Sequence, residues 1–188
     1  MFRRSRLVVL FLVIVVLAGV WLQGCTAGGQ TGKNSGGSSP QAENKPAADP
    51  GAKAAPDFNL KGLDSREYRL ADFRGKKVLI NFWTTWCPYC LEEMPLLQKF
   101  HEQNKDGGWQ VLTVDITSSE KSLADVQNYI KSKGFTFPVL LDEKGEVASR
   151  YGVRSIPASY ILNEQGQVIK TKVGPFSEKE IEELGRLK

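Results

Sequence analysis

From Thr26 to Pro56 the chain has no Val, Ile, Leu, Met, Phe, Trp or Tyr in 31 residues, and this gap decides what the rest can be. A run of Gly, Ser, Ala, Pro, Gln, Asn and charges buries too little apolar surface to offset the entropy of ordering it, so it builds no core. As a flexible chain it spans on the order of 30 Å, about 5 to 6 Å times the square root of its length. It reads as a tether over 26–56, set between an N-terminal segment, 1–25, and one domain over 57–188. The 132 residues of that domain are an ordinary length for a single core.

The N-terminal segment reads as an export signal. MFRRSR supplies positive charge, and Leu7 to Leu22 follow as sixteen residues without a charged or amide side chain. As a helix that run covers roughly 24 Å, short of the ~30 Å hydrocarbon core of a bilayer. Arginines ahead of the apolar run place the following chain on the outer side of a cytoplasmic membrane. Leu22-Gln23-Gly24-Cys25 resembles the bacterial lipobox, which implies a lipid on Cys25; the alternative is an uncleaved signal anchor. Either holds the protein at the outer face of the membrane. Arg3, Arg4, Arg6 and Lys33 lie ahead of the domain and carry much of the formal +4 charge. With no basic stripe interleaved with aromatics, the domain is not expected to bind nucleic acid.

Along the domain, Phe58 to Leu70 reads as a β-hairpin turning near Asp64-Ser65, and Lys77 to Trp83 as a strand buried on both faces. Leu91, Met94, Leu97 and Phe100 recur at helical spacing, so a helix is expected from Pro88 to about Lys105, ended by Gly107-Gly108. Trp109 to Ile116 reads as a strand, Leu123 to Lys133 as a helix closed by Gly134, and Pro138 to Leu141 as a short strand. Strands over Ser159 to Leu162 and Gln167 to Val173 flank the turn Asn163-Glu164-Gln165-Gly166, and Ser177 with Glu180 makes a capping box for the last helix. The order βαβαβ, followed by a hairpin and a helix, predicts an α/β fold with a mixed central sheet flanked by helices and an added N-terminal β-hairpin.

WTTWCPYC, at 83–90, places a C-x-x-C where the first buried strand hands over to the first helix. The first turn of a helix leaves backbone N–H groups unpaired and carries the positive end of the dipole, and both favour a thiolate. Cys87 is therefore expected to be the acidic, attacking cysteine. Pro88 suits the first helical position, which has no use for its N–H. Cys90, about one turn on and less exposed, would resolve the mixed disulfide. A purely structural disulfide is the alternative, but a ring this small removes little chain entropy. A metal site is the other, but the domain offers only His101, read as a surface residue, as a further soft ligand.

FWTTWCPYC after a buried strand, with Ile156-Pro157 some seventy residues later, resembles the thioredoxin superfamily over about residues 55–188. Leu70-Ala71-Asp72-Phe73-Arg74-Gly75-Lys76, Asn81-Phe82-Trp83 and Glu92-Glu93-Met94-Pro95 look like its membrane-tethered TlpA/ResA-type thiol-disulfide oxidoreductases. The resemblance implies a thioredoxin-like fold, a redox-active Cys87–Cys90 pair with no cofactor and no metal, and a cis Pro157 facing it. It implies a client surface made by Trp86, Pro88, Tyr89, Ile156 and Pro157. Asn81 stands where cytoplasmic thioredoxins carry a proton-moving aspartate, and Glu93 matches the acidic residue that takes this place in ResA-like proteins. Glu93 is thus the expected proton shuttle, with a pKa raised by apolar cover and by a nearby thiolate. Trp83 reads as core, and Pro95 matches the kink proline of thioredoxins.

The expected function is reduction of disulfides in exported clients, by resemblance apocytochromes c or proteins of spore or envelope assembly. Electrons would come from a membrane thiol donor of CcdA type, and the chain is expected to act as a monomer. The same site run in reverse, as a disulfide-forming oxidant, is the alternative; Ile156 before the proline looks more like a reductant. Pro88-Tyr89 is a glutaredoxin-like dipeptide, so the relatives' potential does not transfer, and Ala158 stands where many relatives have threonine. A thiol peroxidase fits less well, because Ile80 occupies the proline position of P-x-x-x-T-x-x-C. A copper-binding lipoprotein lacks ligands.

Overall fold

Residues 77–83, KVLINFW, alternate between two apolar faces, and that alternation organises the domain. A computed structural model describes residues 53–187. The strands are β1 (Asn59–Gly62), β2 (Glu67–Arg69), β3 (Lys77–Trp83), β4 (Trp109–Asp115), β5 (Val139–Leu141), β6 (Ala158–Leu162) and β7 (Val168–Val173). The helices are α1 (Pro88–Asn104), α2 (Leu123–Lys133), α3 (Glu146–Arg150) and α4 (Glu178–Gly185). They alternate with the strands as expected of a mixed α/β fold.

The seven strands form one sheet in the order β2-β1-β5-β4-β3-β6-β7. β3, β4 and β5 run parallel, joined through α1 and α2, while β6, β7 and the N-terminal hairpin pair antiparallel. Val78, Ile80 and Phe82 of β3 point to one face and pack with Leu112, Val114, Leu140, Leu162, α3 residues Val147 and Ala148, and Tyr68 of the hairpin. Leu79 and Trp83 point to the other, where Met94, Leu97 and Phe100 of α1, Val126 of α2 and Ile181 and Leu184 of α4 close over the sheet. Asn81 lies between Leu79 and Trp83 in the strand alternation, so it is delivered to the α1 face.

The local signals explain the boundaries. Gly134 ends α2 in the left-handed region at φ 67°, where a side chain is disfavoured. Ser177 and Glu180 form the reciprocal capping box at the start of α4. α3 was not expected: five residues are too few to show a helical period. Its start is held instead by the Asp142 carboxylate, which accepts from the N–H groups of Val147 (3.3 Å) and Ala148 (2.8 Å). Nor does the sequence indicate that the hairpin joins the main sheet, through Lys61↔Leu141 and Gly62↔Leu140.

Residues 53–56, read from sequence as tether, are hydrogen-bonded to the domain. Ala55 N–H donates to the Gly166 carbonyl (3.0 Å), Val168 N–H to that of Lys53 (2.9 Å), and the Tyr151 hydroxyl to that of Pro56 (2.8 Å). These are largely backbone pairings, which carry no apolar signature. The apolar run 7–22, Cys25 and most of the tether lie outside the described residues. Among the described residues no helix is long and apolar enough to cross a membrane.

Candidate active site

β3 ends at Trp83 at the carboxyl edge of the parallel strands, where α/β sheets commonly place their chemistry. Thr84 to Trp86 then lead to Cys87, which is the N-cap of α1, with Pro88 in its first turn. Cys87 and Cys90 are joined as a disulfide, with Cα atoms 5.3 Å apart. Cys87 Sγ accepts a hydrogen bond from the Cys90 N–H at 3.2 Å, so the helix terminus acts on that sulfur directly. Cys87 is 5% exposed and Cys90 is fully buried. Cys87 is thus the less deeply buried cysteine of the two.

Opposite the pair, the Ile156–Pro157 peptide is cis, and the Ile156 carbonyl oxygen lies 3.8 Å from Cys87 Sγ. Pro88 and Tyr89 are exposed, Tyr89 to 62%. Trp86 is 54% exposed, and its indole N–H donates to the Ser119 carbonyl at 3.0 Å, so its ring is held from the turn after β4. Trp83 is core, against Tyr129. Exposed Trp86 and Tyr89 flank a thinly covered disulfide, a surface suited to an extended chain.

Glu93, one turn beyond Cys90, is buried at 1% exposure, unlike its exposed neighbour Glu92. Its carboxylate accepts from Asn81 Nδ2 at 2.7 Å and from the Phe176 N–H at 2.9 Å. Asn81 Nδ2 also donates to Ser159 Oγ at 2.9 Å. Asn81 and Ser159 are cross-strand partners, as are Ser159 and Lys172, so a polar row crosses β3, β6 and β7. It ends where Lys172 Nζ meets Glu180 at 2.7 Å. Burial raises the Glu93 pKa to about 7, against the downward pull of the Phe176 N–H, the Asn81 amide and the Lys172 charge.

Several groups near the pair carry no sequence signal. Ser159 and Lys172 emerge only from strand register, and Phe176 acts through its backbone. Glu120 accepts from both the N–H and the hydroxyl of Thr85 at 2.5 Å, a contact between residues 35 apart. His101, expected at the surface, is half-buried with Nδ1 unpartnered, and burial lowers its pKa. Among the described residues no cluster of three or more His, Cys, Asp or Glu is arranged to hold a metal ion.

Comparison with known proteins gives one answer. The model of the family described as Redoxin matches residues 49–187. The chain is 35% identical over 143 residues to sporulation thiol-disulfide oxidoreductase A of Bacillus subtilis, spanning 76% of this chain and 83% of that protein. It is likewise 35% identical over 131 residues to the thiol-disulfide oxidoreductase ResA of Bacillus thuringiensis, spanning 70% and 74%. Among solved structures, the exposed lipoprotein thioredoxin Etrx1 of Streptococcus pneumoniae superposes with a TM-score of 0.63 at 35% identity, covering 70% of this chain and 98% of that one.

Proposed function

This chain belongs to the Redoxin family and is a TlpA/ResA-like thiol-disulfide oxidoreductase of thioredoxin-like fold, and we propose that it reduces disulfides in exported proteins through Cys87 and Cys90. The observation that carries this reading is Cys87 at the helix N-cap with Cys90 and Glu93 buried behind it on the same helix. The Cys87 thiolate attacks a client disulfide, forming a mixed disulfide and releasing one client thiolate. Cys90 passes its proton to the Glu93 carboxylate and attacks Cys87 Sγ. The second client thiolate leaves, and two electrons have moved from the dithiol to the client. Trp86, Pro88, Tyr89, Ile156 and Pro157 form the surface along which the client chain lies.

Residues 1–25 direct export and 26–52 tether the domain at the outer face of the cytoplasmic membrane, through lipid on Cys25 or an uncleaved helix. The name of the pneumococcal relative, an exposed lipoprotein, supports the lipid; palmitate labelling that survives Cys25→Ala would remove it. A membrane thiol donor of CcdA type returns the dithiol, and the chain works as a monomer. Spore, envelope and apocytochrome c proteins are the proposed clients, the first supported by the name of the sporulation relative.

The deciding experiment is the equilibrium reduction potential of the full chain against defined thiol buffers, with Cys87→Ser as blank. A value near the about −270 mV of thioredoxin supports the reductant, and one near the about −120 mV of strong periplasmic oxidants reverses the direction.

A further inference from the structure

A second pair of carboxyl groups touches the segment that presents Cys87. Asp115 ends β4 as the register partner of Trp83 and is fully buried. Its Oδ1 accepts from the Thr117 hydroxyl at 2.7 Å, while Oδ2 is buried with no donor. The carboxyl of Glu120 is the neighbouring side chain that engages Asp115. Two carboxylates in contact repel; a proton between them turns the contact into a bond.

Glu120 is in turn fixed to the redox segment. Its two oxygens take the Thr85 N–H and hydroxyl, and its neighbour Ser119 takes the Trp86 indole N–H. The turn 117–120 thus holds both residues that immediately precede Cys87. We propose that Glu120 is a positioning residue of the redox site, and that the proton it shares with Asp115 latches Thr85 and Trp86 in the arrangement that receives a client. This rests on the reading of Cys87 as the attacking thiol.

The titratable groups facing Asp115 are Glu120 from the turn after β4 and Asp142 from the end of β5, with the Thr117 hydroxyl between. Asp142 is engaged by the N–H groups of α3. Burial, then Glu120 and Asp142, raise the Asp115 pKa to about 8 against the Thr117 hydroxyl bond. Burial and the facing carboxyls hold the shared proton on the pair to higher pH than an ordinary carboxyl would keep it, and with that proton in place the latch is closed. Once rising pH removes the shared proton, two carboxylates face each other without a donor between them and the latch loosens.

The test is a nitrogen-15 NMR titration of the full chain from about pH 6 to 10, following the Thr85 amide and the Trp86 indole N–H, the latter assigned with Trp86→Phe. The two signals are expected to move together in one step near the Asp115 pKa of about 8. Asp115→Asn, whose amide donates at every pH, should hold both at their low-pH positions. In parallel, Glu120→Gln should raise KM for insulin disulfides about tenfold with kcat within about twofold, because docking and not the thiol chemistry is disturbed. No step in the parent, a step that survives in Asp115→Asn, or an unchanged KM in Glu120→Gln would each overturn the latch. Turnover that survives in Cys87→Ser would instead overturn the assignment of the nucleophile, and with it the purpose of the latch.

Discussion

Asn81 and Glu93, twelve residues apart on β3 and α1, meet in the core with Asn81 Nδ2 2.7 Å from Glu93 Oε1. Burial raises the Glu93 pKa, and the Phe176 N–H, the neutral Asn81 amide and the Lys172 charge offset only part of it, so Glu93 keeps its proton up to about pH 7. An acid of that strength can accept a proton from a thiol and give it up again near neutral pH.

Replacing Glu93 by Gln should therefore remove the inflection near pH 7 from the rate of client reduction. At pH 8 the resolving step should slow by about 10²-fold, the low end of what a positioned acid–base group contributes. Stopped-flow decay of a preformed mixed disulfide measures that step. An unchanged profile would leave Glu93 as a packing residue.

The same group makes stability fall with pH. Its folded pKa of about 7 lies above the ordinary 4.5, so the folded state holds the proton more tightly than the unfolded state. The contribution is complete below 4.5 and is lost as pH rises through 7; at about 1.4 kcal/mol per unit this amounts to about 3 kcal/mol. Glu93→Gln should flatten this part of the curve. Urea midpoints from pH 4.5 to 8 compare the two proteins; parallel curves would contradict the account.

Lys172 pulls the Glu93 pKa down from β7 and holds the Glu180 carboxyl at about 2 through its hydrogen bond. Lys172→Met should move the Glu93 inflection to higher pH, opposite to the loss of inflection in Glu93→Gln. Carbon-13 NMR of the glutamate carboxyls reads both groups in one titration. A Glu93 midpoint that stays in place would show that the lysine charge is screened.

Cys90→Ser should trap clients on Cys87 as mixed disulfides that survive on a non-reducing gel and disappear with dithiothreitol. Cys87→Ser should trap none, because Cys90 is fully buried. Equal trapping by both variants would mean that the cysteines share the attacking role.

Much of this domain was legible because its signals are local. β3 runs from Lys77 to Trp83 as its apolar run indicates, Gly134 closes α2, and Ser177 with Glu180 opens α4. The cysteine pair at a strand-to-helix junction and the burial of Glu93 could be anticipated from spacing and family likeness. What stayed hidden depends on contacts between distant residues. Ser159 joins Asn81 only because β6 pairs with β3 in one register, and Glu120 reaches Thr85 across 35 positions. The first turn of α3 is held by the Asp142 carboxylate, a contact that no helical period announces.

The hairpin that pairs with β5 also changes where the sheet stops. Without it the three residues of β5 would offer unpaired N–H and C=O groups to any extended chain nearby. With it, the sheet ends on one side at β2, three residues long, with Glu67 and Arg69 exposed, and on the other at β7, which carries Lys170 and Lys172. Short or charged margins are poor templates for adding a foreign strand. Strand addition along either margin of the sheet is thereby discouraged, and the exposed Trp86 and Tyr89 beside the disulfide lie away from both margins in sequence and in strand order.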